Sequence, residues 1–312
     1  MAVETFHSLI ARNKRNSFLL IAAFTAFFVG FGLLIGYIWG DGHWGFSIFV
    51  AVAAVVIAFV LTLASYYGGS TVLLGMSGAK EIKKADDPKL FNVVEELSLA
   101  GGVPMPRVFL IDDTAMNAFA TGRNPKHSCV AITKGLRAKL TRDELQGVMA
   151  HELSHVRNYD ILYAMLMAVM VGTLVILADV FLRSLWFGAG SRRSRRRDSR
   201  DSGGGQVILL VIAIVLAILA PILARIIQMS LSRQREYLAD AGSVELTRNP
   251  EGLAGALAKL SGDEEVLEVA NRATAPLYIV HPIKKFEERS KSIFDTHPPI
   301  GDRIRRLMSV TT

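Results

Sequence analysis

The stretch TRDELQGVMAHELSHVRNYD, Thr141 to Asp160, holds two local instructions in one element. Thr141 and Glu144 make a capping box, a hydroxyl and a carboxylate three residues apart that satisfy free backbone donors, so a helix starts here. That helix then carries His151-Glu152-Leu153-Ser154-His155, a match to H-E-x-x-H. Residues four apart leave a helix from one face, so His151 and His155 can aim two imidazoles at one metal ion, with Glu152 beside the open coordination position. The pattern points to zinc, and its bland alternative is a solvated helix face.

A catalytic zinc needs a third protein ligand and a water. With the single cysteine Cys129 a cysteine-rich site is excluded, and that residue forms no intrachain disulfide. His127, His281 and His297 are candidates, while Arg235-Glu236-Tyr237-Leu238-Ala239-Asp240 offers a better pattern. There Glu236 can ligate, and Asp240, one turn on, can accept a hydrogen bond from the far nitrogen of a ligating histidine. An ordinary surface carboxylate paired with Arg233 or Arg235 is the competing reading of Glu236.

Outward from the motif, the chain is 51% hydrophobic with a mean hydropathy of +0.35, high for a protein with a water-facing surface. The excess falls in blocks. Residues 17–39 and 45–67 carry no charge and read as a membrane-spanning hairpin closed by Gly40-Asp41-Gly42-His43. Arg12, Lys14 and Arg15 precede the first block, but its apolar run exceeds a signal-peptide core and no clear small-x-small cleavage site follows. Residues 161–182 and 207–227 form a second hydrophobic hairpin around the loop 183–206, whose tract Arg192 to Arg200 supplies much of the net charge of +7. Both are long enough to span. Exporting an arginine-rich loop runs against the positive-inside tendency, yet length favours full crossing. Anionic lipid headgroups, and not nucleic acid, are the expected partner of that tract. Gly32, Gly36 and Gly40 have helix-packing spacing, which by itself fixes no oligomeric state.

The remaining residues, 68–160 and 230–312, read as two parts of one ordered domain. Asp87-Pro88 starts a helix that Gly101-Gly102 ends, and Asn249-Pro250 and Pro298-Pro299 start two more. Arg107–Ile111 and Cys129–Thr133, with Asn117 to Thr121 between them, form a small sheet.

His151 to His155 followed by Asn158 and Asp160, then Glu236-x-x-x-Asp240 beyond a hydrophobic hairpin, and two amino-terminal spans resemble the HtpX-type membrane metalloproteases, relatives of the CAAX prenyl endoproteases. The resemblance covers nearly the whole chain. It implies an α-helical membrane protein with a mainly helical (α+β), gluzincin-like metalloprotease domain carrying a small β-sheet, and one zinc ion per chain. It makes Glu236 the third ligand and sets Asp240, Asn158 and Asp160 behind the ligands. Asn117, Ala118, Phe119 and Ala120 resemble an edge strand where a substrate backbone pairs as an added strand, and His297 a residue that supports the oxyanion or regulates access. Glu152 is then the general base. The implied activity is that of a zinc metalloendopeptidase of the bacterial inner membrane, multi-pass, with its catalytic domain in the cytoplasm, cutting damaged or misfolded membrane proteins. Dedicated processing of lipid-modified peptides is the second reading. A non-catalytic zinc adaptor would have no need of Glu152, and a transporter finds no ion path beyond Asp179 and Pro221.

Overall fold

The computed structural model describes residues 6–40, 42–174, 233–263, 278–279 and 298–309. Two long helices come first, α1 (Phe6–Trp39) and α2 (Trp44–Met76), joined by a short turn. Each is long and apolar enough to cross a membrane, over Ile10–Leu34 in the first and Trp44–Met76 in the second. Both extend past the expected 17–39 and 45–67. The helical hydrogen-bond ladder does not stop where the apolar run does, so α1 begins among its basic residues and α2 carries the chain on to the first strand. The glycine spacing is used inside the chain: a Cβ on Gly36 would meet the Ser47 Cα of α2 at 2.6 Å. The small-residue face thus joins α1 to α2.

A four-stranded sheet follows, from β1 (Ala79–Glu81), β2 (Arg107–Ile111), β3 (Ala118–Gly122) and β4 (Ser128–Thr133), in the order β1-β2-β4-β3. The pair β2/β4 is parallel, and β1/β2 and β3/β4 are antiparallel. Helix α3 (Pro88–Gly101) lies between the first two strands; the Asp87 carboxylate accepts from the Leu90 amide at 3.0 Å at its start, and Gly102 ends it at φ 62°. The expected three strands are present. The strand Ala79–Glu81 and the short helix α4 (Lys134–Lys139) were not expected, being too short for a periodic signal.

Helix α5 (Arg142–Arg157) is capped as expected: Thr141 Oγ1 accepts from the Glu144 amide at 3.4 Å and Glu144 Oε2 from the Thr141 amide at 2.7 Å. Apart from its first turn it is nearly all buried, in a core with α3, the sheet and α8 (Pro250–Gly262). After α5 come α6 (Asp160–Leu166) and a π-helical turn, Met167–Val171, which pack on both membrane helices through Phe24, Ala58, Leu73 and Met165. The expected hairpin 161–182/207–227 otherwise lies outside the described residues, as does the loop 183–206.

Helix α7 (Arg233–Thr247) approaches α5 so closely that a Cβ on Gly242 would stand 2.4 Å from Ser154 Oγ. Ser243 Oγ donates to the Gly147 carbonyl of α5 at 2.8 Å in the same seam. Helix α9 (Ile300–Met308) completes the domain. Because this seam sets the distance from α7 to α5, Gly242→Ala is expected to destabilise the protein by about 1–3 kcal/mol through overpacking. Thermal unfolding of detergent-purified protein checks this, and an unchanged midpoint would mean that the seam can relax.

Candidate metal centre

Helix α5 presents His151 and His155 one turn apart, and α7 brings Glu236 over them. One donor atom from each of the three lies within 4.8 Å of the others. The two Nε2 atoms are 3.2 Å apart, and the Glu236 carboxylate oxygens lie 3.7 Å from His151 Nε2 and 3.7 Å from His155 Nε2. Those separations are close to the ~3.3–3.6 Å edges of a tetrahedron of ligands about 2.0–2.2 Å from a central ion.

Each imidazole is held from behind by a carboxylate. His151 Nδ1 lies 3.0 Å from Asp240 Oδ1, and His155 Nδ1 lies 3.0 Å from Asp160 Oδ2. A carboxylate accepts only, so both Nδ1 atoms carry hydrogen and both Nε2 atoms face the same point. In the metal-free site a proton on His155 Nε2 bridges to His151 Nε2, and a metal ion that displaced it would meet two nitrogen lone pairs beside a third carboxylate.

The buried charge gives the same answer. Glu152, Asp160, Glu236 and Asp240 are buried, against Arg235 and Arg303 as buried cations. Among the described residues four carboxylic groups meet two guanidiniums, an excess of acidic groups in a dry interior that suits a cation. The residues therefore fit a metal.

Burial, and then the neighbouring charges, set the ionisation of the metal-free site. Burial pushes the Glu152 carboxyl up to about 7; the His155 ring opposes that rise, Glu236 adds to it, and a hydrogen bond from the Ala120 amide opposes it. Burial also lowers His151, with the Arg303 guanidinium adding to it against the pull of Asp240. For His155 burial is outweighed, and hydrogen bonding to Asp160 with Glu236 close by raises the ring to about 9. The two rings diverge because Arg303, with Nη2 3.4 and 3.5 Å from the ring nitrogens of His151, opposes charge there, while Glu236 and Glu152 favour it on His155.

Arg303 was not anticipated. Fully buried on α9, it donates to both Asp240 oxygens, Nε to Oδ2 at 2.9 Å and Nη2 to Oδ1 at 2.6 Å, and its Nη1 lies 3.6 Å from Glu236 Oε2. The signal was there: Ile300, Ile304 and Leu307 form an apolar stripe, and Arg303 stands within it, where a cation needs a buried partner.

Of the other anticipated residues, Asn158 is the buried C-cap of α5, and its carbonyl accepts from Asn13 Nδ2 at 2.9 Å. Asn117, Ala118, Phe119 and Ala120 are buried at and just before the sheet edge β3. That edge is partly covered, since the Ile279 amide donates to the Ala118 carbonyl at 3.0 Å while Tyr278 packs edge-on against Phe119. His297 lies outside the described residues.

A helix-borne pair of carboxylate-pinned imidazoles, a facing glutamate and a buried glutamate beside them, joined to two apolar helices, define a membrane metallopeptidase. The chain belongs to peptidase family M48, whose sequence model matches residues 84–311. It is 44% identical over 300 residues to the protein named Protease HtpX homolog from Lactobacillus acidophilus, covering 96% of this chain and 97% of that one. The protein of that name from Lactiplantibacillus plantarum is 45% identical over 302 residues, covering 96% and 98%. That from Thermoanaerobacter pseudethanolicus is 40% identical over 311 residues, covering all of both chains. The crystal structure of S. mikatae Ste24p superposes with a TM-score of 0.47 at 19% identity, over 96% of this chain and 66% of that one. The resemblance to HtpX-type metalloproteases read from the motif thus extends over nearly the whole chain.

Since Arg303 compensates Asp240 and Glu236, Arg303→Met is expected to cost about 3–5 kcal/mol of stability, the range for removing one partner of a buried ion pair. Chemical denaturation checks it, and a loss under about 1 kcal/mol would show that another group carries the compensation.

Proposed function

We propose that this protein is a zinc-dependent endopeptidase in which His151, His155 and Glu236 hold the metal, Asp240 and Asp160 orient the two imidazoles, and Glu152 is the general base. The observation that carries the reading is the pair of Nε2 atoms, fixed by carboxylates at both Nδ1 atoms, converging with Glu236 on one point. Zinc bound there supplies a Lewis acid and brings a bound water's pKa to about 7.

The protein's own groups do the rest. Glu152, raised to about 7 by burial, is suited to accept the proton of the attacking water and return it to the leaving amine. The Ala120 amide, which hydrogen-bonds the Glu152 carboxylate, ties the edge of β3 to the base. A substrate backbone pairing along that edge therefore lies beside the proton acceptor, and pairing at Ala118 requires the Ile279 amide to leave. His297, outside the described residues, is assigned a supporting role at the oxyanion or in access on the family resemblance alone.

The substrates are polypeptides, and we assign them to membrane proteins, damaged or misfolded, cut where their loops meet the cytoplasmic surface. Residues 1–67 serve as the amino-terminal anchor, 68–160 and 230–312 as the two parts of the catalytic domain, and 161–229 as a second membrane hairpin. The basic residues Arg12, Lys14 and Arg15 at the start of α1 support a cytoplasmic catalytic domain in a multi-pass inner-membrane protein beside anionic lipid.

The test compares zinc content and casein cleavage for detergent-purified wild type, Glu152→Gln and Glu236→Ala, kept in chelator until assay to limit self-cleavage. Glu152→Gln is expected to retain zinc and lose at least about a hundredfold in cleavage, the lower range for a general base, and Glu236→Ala to lose both. Cleavage by Glu152→Gln at the wild-type rate would end the assignment. Zinc-loaded wild type that cuts only lipid-modified peptides, and not casein, would favour dedicated processing.

A further inference from the structure

The amino-terminal helix reaches the metal centre through one side chain. Asn13 lies near the start of the apolar stretch Ile10–Leu34 and is only 2% exposed. A buried amide there is costly unless its hydrogens are used, and both are. Nδ2 donates to the Asn158 carbonyl at 2.9 Å and to Asp160 Oδ1 at 2.6 Å. Both partners are acceptors only, which fixes the orientation of the amide. The other oxygen of the same carboxylate, Asp160 Oδ2, accepts from His155 Nδ1 at 3.0 Å. A continuous path of hydrogen bonds therefore runs from α1 through Asp160 to the imidazole whose Nε2 faces His151 and Glu236.

The Arg235 guanidinium, the cation paired with Asp160 Oδ1, keeps its Nη1 at 3.9 Å, beyond hydrogen-bond reach. The short bond from Asn13 is thus what stops the carboxylate from rotating about its own Cβ–Cγ bond and releasing His155. The turn that carries Asp160 is arranged for this meeting. Tyr159 adopts φ 61°, a left-handed conformation that a non-glycine residue keeps only where its surroundings enforce it. Its ring lies under the Lys14 ammonium at 4.4 Å, next to Asn13 on α1.

We infer that Asn13 is a positioning residue of the metal centre: by holding Asp160 it fixes the tautomer and direction of His155, so the first membrane helix is a working part of the active site as well as an anchor. The inference rests on the zinc reading above. It assigns to a residue of the membrane hairpin a task otherwise left to the domain that follows.

The experiment measures zinc affinity by competition with a chromogenic chelator on folded, monodisperse full-length protein in detergent. Asn13→Leu and the milder Asn13→Ser are expected to bind zinc about tenfold more weakly, the low end of the 10–100-fold range for groups behind a ligand, because Asn13 is one bond further out. Cleavage should recover in part when zinc is raised to saturation. In an Asp160→Ala background the same substitutions should add nothing, since the carboxylate through which Asn13 acts is gone. Lys14→Met, which removes a docking contact without touching Asp160, should leave zinc affinity as it was. Unchanged affinity in the Asn13 variants, an equal further loss in the Asp160→Ala background, an equal loss from Lys14→Met, or failure of both Asn13 variants to fold would each overturn the inference and leave Asn13 as an anchor of α1. Absence of zinc from the wild type would instead overturn the reading of the site itself.

Discussion

Two imidazoles held at Nδ1 by buried carboxylates are the constraint around which the rest of the molecule is arranged. Fixing those nitrogens turns both Nε2 atoms inward to 3.2 Å from each other, a separation bridged by a proton in the metal-free site and suited to a metal ion in its place. A carboxylate is strongly disfavoured in a dry interior, so each needs compensation of its own. Asp240 has Arg303, and Asp160 has Asn13 with Arg235 further off. The residual excess of negative charge is shared by Glu236 and Glu152, where the metal is to bind. Burial, opposed by the His155 ring and reinforced by Glu236, brings the Glu152 carboxyl to about 7 in the metal-free site.

Placing these groups needs helices that approach one another more closely than ordinary side chains allow. Gly242 lets α7 lie on Ser154 of α5, which carries Glu236 and Asp240 to opposite sides of His151. Glu236 faces Nε2 and Asp240 faces Nδ1 because they are one turn apart on a helix that crosses α5. The spacing that makes one a candidate ligand makes the other its support. Arg303 closes the arrangement from α9 and also donates to the Ile279 carbonyl at 3.3 Å, so the segment covering the β3 edge is tied to the same buried charge.

What the sequence made legible was what depends on neighbours along the chain. The Thr141 capping box, the Asp87 and Asn249 caps, the pair His151/His155 and the pair Glu236/Asp240 all follow from helical period and a handful of side chains. The three residues of β1 pair with β2 across a gap that leaves no pattern in so short a run. Arg303 and Asn13 escaped for another reason. Each is a polar residue inside or bordering an apolar surface, and its partner lies far along the chain, so only folding shows that Arg303 meets Asp240 and Asn13 meets Asp160. In the apolar stripe of α9 the anomaly was visible, whereas Asn13 sat among charged residues that a membrane helix ordinarily carries at its end.

The union of catalytic domain and hairpin does not depend on Asn13 alone. Arg123, in the turn after β3, lies 6.0 Å from the Tyr66 ring centroid and 5.0 Å from that of Tyr67, both on α2. Ser77, at the end of α2, meets the Tyr278 hydroxyl at 3.1 Å, and Met165 of α6 fills the space that a side chain on Gly69 would need. These contacts surround β3 on the hairpin side. Among the described residues, the sheet edge nearest Glu152 is therefore bounded by elements continuous with the two long apolar helices, and the Ile279 amide on Ala118 closes part of it. The edge, the base and the helices are thus one packed unit, so a change in the hairpin is felt at β3.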